Sequence, residues 1–524
     1  MQKHNNTSTN TIKNMKPTAA IYDRWLSTLG GGEQVVFAYA EALKELGYAV
    51  TLLSHAPIDT ERAENKMGVS LQDIQITYLP YKSSRELSEY TEQYDLFINS
   101  SYLDYFPNRS KLGILSIFFP SEIYLSPYEF IKRALIIPSF RLFFIYPLNY
   151  EDFLYDEFTD NILYKWLGTA STIVFTKSIR KVSLDLFFET LEFSVLERIQ
   201  FLLNEEPIQP ITKKLDHRNN IVTYTFDLEQ GLSSQKTLKI VYTNSHKAAL
   251  IRLTIPSIRY VLYNLFKRFF PKWEMRLHGG PGVTKRSDLE SYQKLLTISD
   301  FCKKWIKIYW GLQSEILYPP VNTKNFTSSK HKKNHIIHVG RFFVSGHNKK
   351  QLDLIKVFKN MVEQHTIPDW ELHFIGSVHE GVEHGKYFEN CQDEARNYPI
   401  YFHTDVPFVE LKTRLSEAKI YWHATGLDQN EEKEPILFEH FGITTVEAMA
   451  SGCVPVVIKA GGQKEIVTKE SGFLWESRRE LTEQTMHLIT NPDELSSYSV
   501  GAQKRSVYFD RENFKKRFEQ ILKK

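Results

Sequence analysis

Two rhythms of apolar and polar positions run along this chain, and their alternation marks out its elements. An apolar run from Thr18 to Tyr22 leads into Gly30-Gly31-Gly32-Glu33, after which Val35, Tyr39, Ala42 and Leu46 recur at spacings of four, three and four. That spacing puts them on one face of a helix, Gly47 stands where such a helix ends, and Ala49 to Leu53 reads as the next strand. Strand, glycine turn, helix and strand together predict a βαβ unit. A second series begins at His335 to Val339. It continues through a helical stretch from Lys350 to Val362, strands at Glu371 to Ile375 and Ile400 to His403, a helix from about Phe408 to Ala418, and strands at Ile420 to His423 and Val454 to Ile458.

Repeated alternation of this kind implies mainly parallel sheets covered on both faces. The expected fold class is therefore α/β, with two Rossmann-like domains meeting near Tyr318-Pro319-Pro320 and facing each other across a cleft. Between the two series the alternation lapses, from about Thr212 to Leu277, where strands are expected at Asn220 to Phe226 and Thr237 to Thr243 ahead of a basic aromatic stretch. This segment reads as an insertion in the N-terminal domain. Phe514, Phe518 and Ile521 share helical spacing and predict a terminal amphipathic helix. The expected divisions are a tail over 1–16, an N-terminal domain over 17–315 with its insertion at 212–277, a C-terminal domain over 316–505, and a helix within 506–524.

Composition narrows the function classes. A chain of 524 residues is long enough for two cores, and its 42% hydrophobic and 24% charged residues are those of a globular protein. Met1 to Lys16, rich in Asn, Thr and Lys, lacks the apolar residues that would offset the entropy of ordering it. The surplus of basic over acidic residues is 65 to 62, too small to make nucleic acid the expected partner. Cys302, Cys391 and Cys453 lie far apart without metal-ligand spacing, which suits a reducing compartment. With no secretory pattern and no long apolar run, cytoplasmic placement is expected.

The richest segment runs from Glu439 to Gly452 and reads EHFGITTVEAMASG. It combines two acids, a glycine turn and a helix start. Backbone N–H groups near Gly442, Ile443, Thr444 and Thr445 would point between Glu439 and Glu447, and unpaired donors at a helix N-terminus suit a diphosphate. Thr444 and Glu447 also fit a T-x-x-E capping box, which needs no ligand, and the residues alone leave both readings open.

The same stretch resembles the E-x7-E motif of retaining GT-B glycosyltransferases, the glycosyltransferase family 4 type that includes bacterial mannosyl- and glucosyltransferases. The resemblance implies that Glu439 contacts the donor sugar and Glu447 the nucleotide ribose. His338-Val339-Gly340-Arg341-Phe342 is similar to the family's V-G-R segment, and Asn348-Lys349-Lys350-Gln351 stands where an E-K-G supplies a lysine. Arg341 and Lys350 are thus expected to hold the diphosphate, with Lys349 as the alternative lysine and Gln351 in place of the usual glycine. Gly461-Gly462 resembles the family's G-G-x-x-E-I-V, and Val406 lies after a strand where the base commonly packs. In the N-terminal domain Gly31 and Gly32 resemble the loop that approaches the donor phosphates, and Phe118 stands where many members carry a histidine, with Glu122 as a substitute.

What the resemblance implies is transfer, with retention, from a nucleotide-diphosphate sugar to a glycan or lipid-linked acceptor. It implies no cofactor and no metal, the cations and the helix start supplying the positive field that a departing diphosphate needs. A degenerate partner subunit, an epimerase or a phosphorylase share the architecture and are the alternatives. Two stretches, Ile131 to Leu148 and Ile251 to Trp273, carry basic residues and no acid among many apolar ones. They are expected either to meet an anionic membrane surface, making the protein peripheral on the inner membrane face, or to be ordinary core.

Overall fold

The computed structural model describes residues 16–55, 58–79, 84–123, 148–159, 162–175, 179–228, 236–243, 247–256, 258–269, 285–344, 346–364, 369–378 and 382–524, with a few isolated positions between them. Among the described residues the strands form three sheets. The first runs in the order Glu315–Ile316, Lys294–Thr297, Leu112–Ile117, Leu96–Asn99, Thr18–Tyr22, Ala49–Ser54, Ile74–Tyr78, and every pairing is parallel. The third is also parallel throughout, in the order Ile400–His403, Glu371–Ile375, His335–Val339, Ile420–His423, Val454–Ile458, Phe473–Trp475. Near-continuous apolar strands such as Val454–Ile458, buried at all five positions, are what a sheet covered on both faces requires.

The middle sheet differs in kind. It is antiparallel, holds nine strands between Leu148 and Thr254 among the described residues, and has its own core around Phe175, Leu184, Phe226 and Ile240. The strand Lys181–Phe188 alternates exposed and buried positions, the period of a sheet with one solvated face. Its chain leaves the first sheet after Leu112–Ile117 and returns at Lys294–Thr297, two strands that pair directly. The interruption expected at 212–277 therefore lies within a longer insert that begins well upstream. The early part went unseen because Leu148–Thr159 and Ile162–Phe175 are long strands with broken registers, and their mixed composition carries no clean alternation.

The C-terminal helix, Arg511–Lys523, does not stay with the domain it follows. Its Phe514, Phe518 and Ile521 complete the N-terminal core beside Val36, Tyr39 and Leu43. Arg511 donates to the carbonyls of Met67 and Gly68 at 2.5 and 2.7 Å. The polypeptide thus crosses between the parallel domains twice, and the crossings pair where the Val321 N–H donates to the Phe509 carbonyl at 2.9 Å.

Candidate active site

The site forms at the C-terminal ends of the parallel strands of the third sheet, where open α/β folds present their ligands. Beyond the strand Ile420–His423 the chain loops through a short 3₁₀ turn at Pro435–Leu437 to Glu439, and the helix Ile443–Ala450 follows. Gly442 caps that helix with φ of 125°, a conformation that L side chains avoid, so glycine is needed at the turn. The loop is held from below by the Gly462 N–H, which donates to the Glu439 carbonyl at 2.8 Å.

Glu439 is the centre of charge. Its Oε2 accepts from Lys349 Nζ at 2.6 Å and from His423 Nε2 at 3.1 Å. A carboxylate only accepts, so His423 carries its hydrogen on Nε2, and its buried Nδ1 has no protein partner. Burial resists ionisation of Glu439, yet the Lys349 cation and the hydrogen bond from His423 hold the carboxyl well below its ordinary range. His347 is pushed down to about 4 by burial and then by Lys349, and His440 to about 3 by burial and then by His347, so both rings are neutral. Buried polar atoms without protein partners gather here: His338 Nε2, His440 Nε2, Thr445 Oγ1 and both amide atoms of Gln463. Such groups cost free energy unless a ligand or water meets them.

Glu447 lives in the opposite environment. It is buried one helical turn below the start of Ile443–Ala450, and burial raises its carboxyl to about 8, with Lys66 pulling the other way. The capping box is not formed: the cap is Gly442, no side chain bonds to the helix start, and the Thr444 hydroxyl pairs with the Tyr421 hydroxyl at 2.9 Å. Ile443 and Thr444 are only half-buried, and the Thr445 N–H is taken by the Gly442 carbonyl at 3.1 Å, so of the donors expected here those of Ile443 and Thr444 are left without an acceptor in the helix.

Lys349, not Lys350, reaches the acid. Lys350 is the N-cap of the helix Gln351–Glu363 in the left-handed conformation, φ 59°, with its N–H on Asn348 Oδ1 at 2.7 Å. The left-handed residue of this loop is thus Lys350, one position before Gln351, and Gln351 is free to be a large side chain. Gln351 is fully buried and donates to the carbonyls of Gly340 and Arg341 at 3.3 and 3.0 Å, which fixes the V-G-R turn. Arg341 itself is exposed, its guanidinium 5.5 Å from the Phe343 ring. Val406 is half-buried just past the strand Ile400–His403.

Across the cleft, a side chain placed on Gly31 would come 3.2 Å from Ile443 Cδ1, so the glycine loop and the helix Ile443–Ala450 face each other directly. Phe118 lies against this loop, its ring 3.5 Å from where a side chain on Gly32 would begin. Phe119 stacks on His440, centroids 4.2 Å apart and planes at 12°. Glu122 is exposed, with Tyr309 as its neighbour, and the structure does not bring it to the acids. The two domains are clasped at the helix Asp300–Trp310, whose first N–H, that of Asp300, is shared between the two Glu465 carboxylate oxygens at 2.9 and 3.0 Å. Sequence reasoning missed His423, His347 and Lys66; a histidine ending a parallel strand was the available signal for the first.

Two parallel α/β domains facing across a cleft, with the last helix returned to the first domain, are the GT-B glycosyltransferase fold. The structure superposes on a glycosyltransferase from Rickettsia africae with TM-score 0.50 at 10% identity, covering 97% of each chain. It also superposes on sucrose-phosphate synthase from Thermosynechococcus elongatus with TM-score 0.51 at 11% identity, covering 97% of this chain and 98% of that one. Anabaena HepE, crystallised with UDP and glucose, gives TM-score 0.50 at 12% identity, covering 97% and 99%. At these identities the likeness defines the fold alone.

Residues 322–505 match the family model described as glycosyl transferases group 1. Among curated proteins the chain is 27% identical over 222 residues to the Xenopus laevis GDP-Man:Man(3)GlcNAc(2)-PP-Dol alpha-1,2-mannosyltransferase, covering 39% of this chain and 43% of that protein. The human enzyme of the same name is 26% identical over 218 residues, covering 39% and 42%. The chain therefore matches less than half the length of these curated relatives.

Proposed function

We propose that this protein is a retaining glycosyltransferase that moves a sugar from a nucleotide-diphosphate sugar to a lipid-linked or glycan acceptor. The observation that carries the reading is the ion pair of Glu439 with Lys349, set beside the start of Ile443–Ala450 and opposite Gly31. In this reading the diphosphate lies over the N–H groups of Ile443 and Thr444 with Lys349 and Arg341 about it, and negative charge growing on the leaving phosphate meets fixed donors. Glu439 takes hydroxyls of the donor sugar, and its displacement from Lys349 on binding frees that cation for phosphate. Glu447 accepts a ribose hydroxyl, and Val406 and Gly462 border the base and the acid loop. The leaving phosphate oxygen takes the acceptor's proton on the face it departs from, so no protein nucleophile is required. The names of the relatives make GDP-mannose the first donor to assay. Donor hydrolysis or transfer with a panel of GDP-, UDP- and ADP-sugars tests the proposal, and release of no nucleotide from any of them would refute it.

A second reading concerns where the acceptor is met. The helix Ile258–Phe269 leaves Ile258 79%, Leu265 55% and Phe269 68% exposed, while Tyr263 on another side is buried. The described residues contain no helix long and apolar enough to cross a membrane. We read this helix as an interfacial element that holds the protein at the cytoplasmic face of an anionic membrane. Of the basic residues to which the sequence pattern gave the electrostatic part of this role, Lys132, Arg133, Arg141 and Lys272 lie outside the described residues, as do the side chains of Arg259, Lys267 and Arg268, and Arg252 lies 3.6 Å from Asp185. Flotation with anionic and neutral liposomes tests it: binding to neither, or binding unaltered in an Ile258→Asp, Phe269→Asp variant, would remove the membrane reading.

A further inference from the structure

The face of the third sheet carries a cluster of ligating side chains at the end away from Glu439. His335 opens its strand, Glu371 opens the neighbouring one, and the two are register partners; His373 follows Glu371 by two residues and so projects from the same face. Glu371 Oε2 lies 3.0 Å from His335 Nε2 and 3.0 Å from His373 Nε2. All three donor atoms fall within 4.8 Å of one another. On the third strand His403 Nε2 stands 2.9 Å from His373 Nδ1, and Tyr401 stacks on the His373 ring at 5.1 Å.

We propose that His335, Glu371 and His373 bind a divalent zinc-class ion that ties together the first two strands of the donor domain. Two imidazole nitrogens and one carboxylate oxygen are a common zinc donor set, and a tetrahedron with bonds of about 2.0–2.1 Å has edges of about 3.3 Å, a few tenths longer than the two separations of 3.0 Å between Glu371 and the imidazoles. Both rings would ligate through Nε2. His373 would then carry its hydrogen on Nδ1 and donate it to His403, the outer partner that fixes tautomer and ring orientation at metal sites. His335 and His373 are largely buried, whereas Glu371 is 37% exposed, so an ion can enter from solvent and keep water as its fourth ligand. The nearest cations do not repel it at full strength, because Lys333 is paired with Glu417 and Arg414 with Glu410, each at 2.7 Å. Without an ion, His373 Nε2 is hydrogen-bonded to Glu371 Oε2, and His335 Nε2 lies 3.0 Å from the same oxygen.

The test is titration of chelator-stripped full-length protein with Zn²⁺ by calorimetry, together with Co²⁺ titration followed by its visible d–d bands. The expected result is one equivalent of Zn²⁺ and a tetrahedral Co²⁺ spectrum, both lost in His373→Ala and Glu371→Ala. His403→Ala should retain the site with affinity weakened by about 10–100-fold. Glu371→Ala, altering a half-exposed side chain, keeps the test valid if His373→Ala fails to fold. Absence of binding by the wild type overturns the proposal, and so does binding that survives in Glu371→Ala.

Discussion

The two parallel domains share an architecture and differ in continuity. The C-terminal parallel sheet is built from one unbroken stretch, His335 to Trp475, whereas the N-terminal sheet is interrupted between two adjacent strands by the antiparallel insert. In the C-terminal half, residues that meet in space are also close in sequence or stand at strand ends in chain order, and Glu439, Gly442 and Glu447 occupy a single loop and helix. In the N-terminal half, Gly31, Lys66 and Phe118 come from three separate elements, and nothing in their spacing announces that they converge. One half is a motif and the other an assembly, so substitutions should act locally in the first and through domain geometry in the second.

The largest effect expected on that contrast is at the ion pair. Glu439→Gln and Lys349→Ala should each lower turnover by about 10²–10³-fold, because each removes a fixed charge at the reacting centre, while Lys350→Ala should stay close to wild type. Single-turnover rates compare them directly; equal loss at both lysines would break the assignment. Next comes Gly442→Ala. A side chain there would be forced to a φ of 125° and would meet Gln463 Nε2 at 2.4 Å, a cost of about 1–3 kcal/mol in stability that chemical denaturation would register. Unchanged stability would mean that the turn relaxes freely.

A smaller effect is a pH dependence. The Glu447 carboxyl stands at about 8 in the folded protein against an ordinary 4.5, so the folded state holds a proton that the unfolded state has lost. Its contribution to stability is therefore full below pH 4.5, declines as pH rises toward 8, and is constant beyond. Glu447→Gln should flatten that decline and weaken nucleotide binding. Melting curves and nucleotide titrations at pH 6 and pH 8.5 check both; a Gln variant with the wild-type profile would show that another group titrates. The smallest effect should come from the clasp between the halves. Glu465→Gln keeps one acceptor for the Asp300 N–H but removes a charge from a helix start, a loss of about 0.3–1 kcal/mol, seen as a modest fall in melting temperature.

Legibility in the sequence followed the same divide. Alternating periods gave five strands of the third sheet, two of the first and the terminal helix, because strands buried on both faces and amphipathic helices leave strong patterns. The acid loop was readable from two glutamates and a glycine. What could not be read was which of two adjacent lysines reaches Glu439, since that depends on Lys350 alone taking the left-handed conformation. The insert's first strands were lost for want of clean alternation. The His335, Glu371 and His373 cluster was invisible because it is completed by register between strands thirty-six residues apart in the chain, a relation that no local spacing expresses.

The double crossing between the domains constrains how the molecule can move. Two segments joined by a backbone hydrogen bond between Val321 and Phe509 behave as a strap with width, which bends across its breadth far more readily than it slides or twists. Opening and closing should then follow a single angular coordinate. Tyr318, on the first crossing, packs against Phe509 on the second at 5.2 Å and against Phe441 at 5.7 Å, two residues from Glu439. A change in that angle is therefore felt at the acid loop through aromatic contacts, so the strap sets the aim of that loop as well as the width of the cleft.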